Sequence, residues 1–179
     1  MPTTHWIRSL TPPNLLTAAR FPLAVGFLAA ESTGVRLALL GMASASDLLD
    51  GWLARRLGST SRSGALLDPV ADKVFMLAAF TAFLVHGEIS VAQWGVLLLR
   101  DWATALGAAV ALLVPGLTPA TFQARMSGKV VTVLQLAAIL ALTLHPGQAA
   151  LVTQIVGWAS IACVADYTLA LAWVLDRPE

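Results

Sequence analysis

Short polar breaks divide this chain into six apolar segments, each about as long as the hydrocarbon core of a bilayer is thick. The breaks are Glu31-Ser-Thr-Gly34, residues 58–63, His86-Gly-Glu88, residues 115–125 and His145-Pro-Gly147. Between them run apolar segments at 13–30, 35–57, 64–85, 89–114, 127–144 and 149–175. About 20 apolar residues make a helical span, and backbone in lipid must satisfy its own hydrogen bonds. The spacing therefore predicts an all-α integral membrane protein with six transmembrane helices. Residues 1–10, with His5, Trp6 and Arg8, lack a signal-peptide core and cleavage site, and read as a short interfacial lead-in to the first span. With 58% of 179 residues hydrophobic, nothing is left for a sizeable soluble domain, and no internal repeat divides the chain. Residues 1–179 read as one membrane domain. A net charge of +1 with no basic run gives no sign of nucleic-acid binding. The single cysteine, Cys163, lies in an apolar run and reads as a buried, inert thiol.

Within this apolar chain, four of the ten acidic residues fall inside 26 positions: Asp47, Asp50, Asp68 and Asp72. An ionised group at membrane depth costs roughly 2.5–3.5 kcal/mol on insertion scales, so such groups mark function. Helix positions three and four apart share a face. Asp47, Asp50, Gly51 and Ala54 therefore make one stripe, and Gly64, Asp68 and Asp72 a second. Residues 58–63 read as a turn joining two antiparallel helices, which would pack side by side and bring the four carboxylates together, with no lysine beside each to neutralise it. Hard oxygen donors in that number attract Mg²⁺ or Mn²⁺, and two ions would balance four charges. Intramembrane ion pairs holding helices together are the plainer alternative, although one or two acids would suffice for that. A cation channel or transporter using the aspartates as an ion path is another, but the discontinuous helices and inverted repeats of such proteins are not visible.

Charge asymmetry orients the bundle. With a cytoplasmic N-terminus, the inside regions hold Arg8, Arg55, Arg56, Arg62, Arg125, Lys129 and Arg177, and the outside turns hold only Arg36 near their edges. The expectation is a multi-pass cell-membrane protein whose aspartates face the cytoplasm.

The run from Asp47 to Asp72 reads D-x2-D-G-x2-A-R-x8-G-x3-D-x3-D, eight specified positions at fixed spacing. It resembles the signature of the CDP-alcohol phosphatidyltransferases. The resemblance extends to Pro13-Asn14-Leu-Leu-Thr17-Ala-Ala-Arg20, to Asp68-Pro-Val-Ala-Asp72-Lys73, to Arg100-Asp101 and to Gly128-Lys129, nearly the whole chain. It implies transfer of a phosphatidyl group from CDP-diacylglycerol to an alcohol with release of CMP, in a protein that is commonly a homodimer. Carried over by position, Asp47, Asp50 and Asp68 would ligate the metal pair, and Asp72 would share ligation and act as general base. Gly51 and Arg55, with Ser61 in the turn, match positions that contact the CDP moiety. Within the family the resemblance leans toward bacterial phosphatidylglycerophosphate synthases, whose acceptor is glycerol 3-phosphate. Arg100, Arg125 and Lys129 are the cations available for its phosphate. Those synthases usually carry a second basic residue about two turns further along the fourth span, and residues 102–113 have none. Cardiolipin synthases of the same family, which use phosphatidylglycerol, are the alternative, followed by other head groups.

Plainer readings stand beside the remaining candidates. Arg100-Asp101 also fits a neutralised pair inside the bundle, and Lys129 an interfacial anchor. Asp166-Tyr167 reads as structural. His5, His86 and His145 show no ligand spacing, and Lys73 points off the carboxylate stripe.

Overall fold

The computed structural model describes residues 12–57, 64–113 and 126–175, with side chains in 18–46, 48–49, 70–109 and 126–170. Among these residues all regular structure is helical. The helices are α1 (Pro12–Ala29), α2 (Thr33–Leu57), α3 (Gly64–Val85), α4 (Val91–Leu97), α5 (Leu99–Leu113), α6 (Met126–Leu144) and α7 (Ala149–Leu175), with a 3-10 turn at Pro146–Gln148. The third and sixth apolar segments coincide with α3 and α7 end to end, and the first, second and fifth differ from their helices by no more than about two residues.

The fourth segment is two helices where one was expected, and the break has a definite cause. Gln135 of α6 donates its Nε2 to the Leu97 carbonyl oxygen at 2.8 Å. In a continuous helix that oxygen would accept from the Asp101 N–H. Here the Asp101 N–H turns to Leu98 O at 2.9 Å, and the Trp102 N–H shares the same acceptor at 3.0 Å. A side chain inserted into the helical ladder is a recognised source of a kink. At its other end α4 starts on a capping box: Gln93 N–H donates to Ser90 Oγ at 3.2 Å, and Ser90 N–H to Gln93 Oε1 at 2.8 Å.

Two compact units form, Met1–His86 and Gly87–Glu179. In the first, α1 packs against both α2 and α3, and no α2–α3 interface of comparable extent is present among the described residues. The expected side-by-side packing of the two motif stripes, 47–54 and 64–72, falls mostly on residues whose side chains lie outside the described ones. The α1 contacts are apolar. Phe27 of α1 meets Phe75 and Phe83 of α3 edge-on, with ring centroids 5.8 and 6.0 Å apart. Leu39 of α2 packs over Gly26 on α1. Arg36, in the first turn of α2, is buried. Its Nε donates to Ala30 O at 2.9 Å at the C-terminal end of α1, and its guanidinium lies 5.1 Å from the centre of the Phe83 ring.

In the second unit, α7 packs on α4, α5 and α6. Two stretches among the described residues are long and apolar enough to cross a membrane, Met126–Leu144 and Pro146–Ala170. Cys163 is buried and unpaired, as expected, in a small cluster with Val131 and Tyr167.

Candidate active site

Asp47, Asp50, Gly51 and Arg55 lie along continuous α2, and Asp68 and Asp72 along continuous α3. The three- and four-residue spacings that define the stripes are therefore helical spacings. The side chains of Asp47, Asp50, Arg55 and Asp68 lie outside the described ones, as do Ser61 and Arg125 altogether. Asp72 is fully described, and its surroundings are specific.

The Asp72 side chain is 50% exposed, and its Oδ1 accepts an ion-paired hydrogen bond from Nη1 of Arg20. Arg20 itself is 2% exposed. It reaches Asp72 from the middle of α1, and its Nε donates to Ser46 Oγ on α2 at 3.3 Å. The Ser46 hydroxyl donates in turn to Ala43 O at 2.9 Å, which leaves its lone pairs facing the guanidinium. One buried cation thus joins the residue before Asp47 to the last aspartate of the motif. In the sequence Arg20 belongs to the resemblance without a role of its own. The signal was present, because Arg20 is the only charged residue in the 18 of α1, and a buried charge has to find a partner. No lysine was expected beside each carboxylate, and the cation beside Asp72 is an arginine.

Carboxylate oxygens are the hard donors that Mg²⁺ and Mn²⁺ prefer. The half-exposed Asp72 carboxylate suits such an ion, since a ligand must be reachable as well as charged. Among the described residues no three His, Cys, Asp or Glu side chains come together, and three of the four motif carboxylates are not among them.

The second unit carries a separate polar network. Arg100 Nη1 donates to Asp101 Oδ1 at 3.2 Å and to Thr132 Oγ1 at 3.4 Å. Gln135 Nε2 donates to Asp101 Oδ2 at 2.7 Å as well as to the Leu97 carbonyl. Arg100 and Asp101 are both largely buried, each side chain 16% exposed. Gly128 sits beneath this network. A Cβ there would stand 2.2 Å from the Tyr167 hydroxyl and 2.8 Å from Arg100 Nη2. The glycine is a socket for those two groups, and its neighbour Lys129 is exposed. Ser127 Oγ donates to Asp166 Oδ2 at 2.7 Å, a helix-joining contact between α6 and α7. Gln135 was missed in the sequence because a single amide in an apolar run does not announce which carbonyl it will meet.

Comparison with known proteins points the same way as the motif. Over 91 residues the chain is 38% identical to a protein of Mycobacterium tuberculosis named putative cardiolipin synthase, covering 49% of this chain and 42% of that one. It is 38% identical over 74 residues to the CDP-diacylglycerol–glycerol-3-phosphate 3-phosphatidyltransferase of Aquifex aeolicus, covering 40% and 42%. With the CMP-forming cardiolipin synthase of Streptomyces coelicolor it shares 40% identity over 80 residues, 40% of this chain and 37% of that protein. Each match spans less than half of the relative's own length. No solved structure matches. The family model described as CDP-alcohol phosphatidyltransferase matches residues 10–165, through the helix that carries Arg20, the whole aspartate motif and the Arg100–Asp101 pair. The chain belongs to the CDP-alcohol phosphatidyltransferase family.

Proposed function

We propose that this chain is one catalytic membrane domain that transfers a phosphatidyl group from CDP-diacylglycerol to an alcohol and releases CMP. The observation that carries the reading is Asp72: a half-exposed carboxylate, closing a complete motif, held from behind by the buried Arg20. An alcohol is a poor nucleophile until a carboxylate within hydrogen-bond reach takes its proton, and in this reading Asp72 is that carboxylate. Asp47, Asp50 and Asp68, with Asp72 sharing, are the ligands for divalent ions, Mg²⁺ or Mn²⁺ and two in number. Such ions, when bound, neutralise and clamp the diphosphate oxygens. Arg55 makes forked hydrogen bonds to phosphate that lysine cannot copy. Gly51 leaves room for the nucleotide against the helix, and Ser61 contributes from the turn. Six spans, an active site open to the cytoplasm and a homodimer complete the reading. Support for the spans comes from the apolar segments and the charge asymmetry.

Glycerol 3-phosphate is the acceptor we favour, with Arg100, Arg125 and Lys129 receiving its phosphate and phosphatidylglycerophosphate as the product. The Aquifex relative is named for that reaction. Arg100 also keeps one buried donor, Nε, without a hydrogen bond among the described residues. A specific observation favours the second reading, cardiolipin synthesis from phosphatidylglycerol. The Arg100 charge is already answered by Asp101, and two of the relatives above are named cardiolipin synthases. The test is purified protein with CDP-diacylglycerol and Mn²⁺, offered glycerol 3-phosphate, phosphatidylglycerol, inositol phosphate or serine, with CMP measured and lipid products identified by mass. Release of CMP with none of them defeats the transferase reading.

A further inference from the structure

Among the described residues, α1 packs against both helices that carry the motif, and its Arg20 reaches a polar side chain on each of them. Arg20 is almost wholly buried, and the sequence around it, Leu15-Leu-Thr-Ala-Ala-Arg20-Phe-Pro-Leu, offers no anion of its own. It spends Nη1 on Asp72 of α3 and Nε on Ser46 of α2. A guanidinium is planar, so fixing two of its nitrogens fixes the direction of the others. Ser46 thus sets the plane of the fork, and the fork sets the rotation of the Asp72 carboxylate by holding Oδ1. Because Ser46 is the residue before Asp47, the same contact ties the start of the motif to its end.

We propose that Arg20, steered by Ser46, is a positioning residue that holds the Asp72 carboxylate in the orientation needed to accept the acceptor's proton. The proposal rests on the transferase reading. Arg20 touches neither substrate nor reacting atoms in this scheme and acts wholly through Asp72. Its loss therefore changes turnover and leaves the affinity for CDP-diacylglycerol nearly intact. Its effect also vanishes once Asp72 can no longer act as a base.

The experiment is a double-mutant cycle on the full-length protein in lipid–detergent micelles, with CMP release followed at saturating Mn²⁺. Arg20→Met should lower kcat by roughly tenfold to a hundredfold, the loss of one charge-assisted hydrogen bond, with KM for CDP-diacylglycerol changed by less than about threefold. Ser46→Ala should give a smaller loss of the same kind, roughly twofold to fivefold, a neutral contact being weaker. In an Asp72→Asn background, Arg20→Met should change the residual rate by less than about threefold, because residues acting as one unit are non-additive. Multiplying losses in the double variant would overturn the proposal, and so would a rise in KM larger than the fall in kcat. Should Arg20→Met not fold, judged by gel filtration and thermal unfolding, Arg20→Lys takes its place in the cycle. Its ammonium cannot hold Asp72 and Ser46 in one plane, so full activity in Arg20→Lys also counts against the proposal. A wild-type protein that releases no CMP with any acceptor defeats the transferase reading and this inference with it; an active wild type with an additive cycle defeats the inference alone.

Discussion

A carboxylate that is to take a proton from an alcohol has to be reachable and also held still, and Asp72 meets both needs through different atoms of its surroundings. Half of its side chain is exposed, and Arg20 holds one oxygen. Asp72→Asn should therefore depress turnover by roughly 10²–10⁴-fold, the usual worth of a general base, while CDP-diacylglycerol still binds. Arg55→Lys should do the opposite, weakening CDP-lipid binding more than turnover. Steady-state kinetics with a separate binding measurement check both, and the reverse pattern would invert the roles. Asp47→Asn and Asp68→Asn should nearly abolish activity in protein that remains folded. Retention of more than about a tenth of wild-type turnover at saturating Mg²⁺, a loss of only roughly 1.4 kcal/mol, would count against metal ligation. The four aspartates were legible in the sequence because charge is costly in an apolar chain and their spacing is helical. Arg20 was legible as a residue and illegible as a partner. Which anion it pairs with depends on how α1 lies between two helices, and no spacing along the chain encodes that.

Among the elements, the long apolar runs declared their helices to within about two residues, since turns of Gly, Pro and polar residues end them sharply. The break between α4 and α5 was hidden, because its cause is Gln135, some 34 residues beyond Asp101. Gln135→Leu should release the Leu97 carbonyl to the Asp101 N–H and straighten that stretch. The exchange also removes one buried and one partly buried hydrogen bond, so the protein should lose about 1–3 kcal/mol in all. Spin labels at exposed positions on α4 and α5 would report a changed distance, and an unchanged one would mean the kink has another source. Gly128→Ala meets a tighter obstacle. The new methyl would collide with the Tyr167 hydroxyl at the end of a rigid ring and with the Arg100 guanidinium. Overpacking of this kind costs about 1–3 kcal/mol, to be read as a lower thermal midpoint. Tyr167→Phe combined with Gly128→Ala should recover part of that loss, because it removes the nearer of the two obstructing atoms.

For the molecule as a whole, the acceptor is where chemistry and architecture meet least directly. If glycerol 3-phosphate is used, Arg100→Ala should raise its apparent KM roughly tenfold to a hundredfold, and far more than that for CDP-diacylglycerol. Production of cardiolipin from phosphatidylglycerol, with indifference to glycerol 3-phosphate, would overturn that expectation and leave the role of the aspartates untouched. The sequence could not decide this because a basic residue and its neutralising neighbour look the same in one dimension whether they bind a ligand or each other. The enclosed Cys163 has a practical consequence. Thiol reagents need an accessible thiolate, and the chain's one cysteine is walled in, so the native protein is already a silent background for labelling. A cysteine introduced at exposed Glu31 should react with a membrane-impermeant maleimide from outside intact cells, and one at exposed Lys129 only after the membrane is opened. Those two labels would map the orientation without first engineering out a thiol.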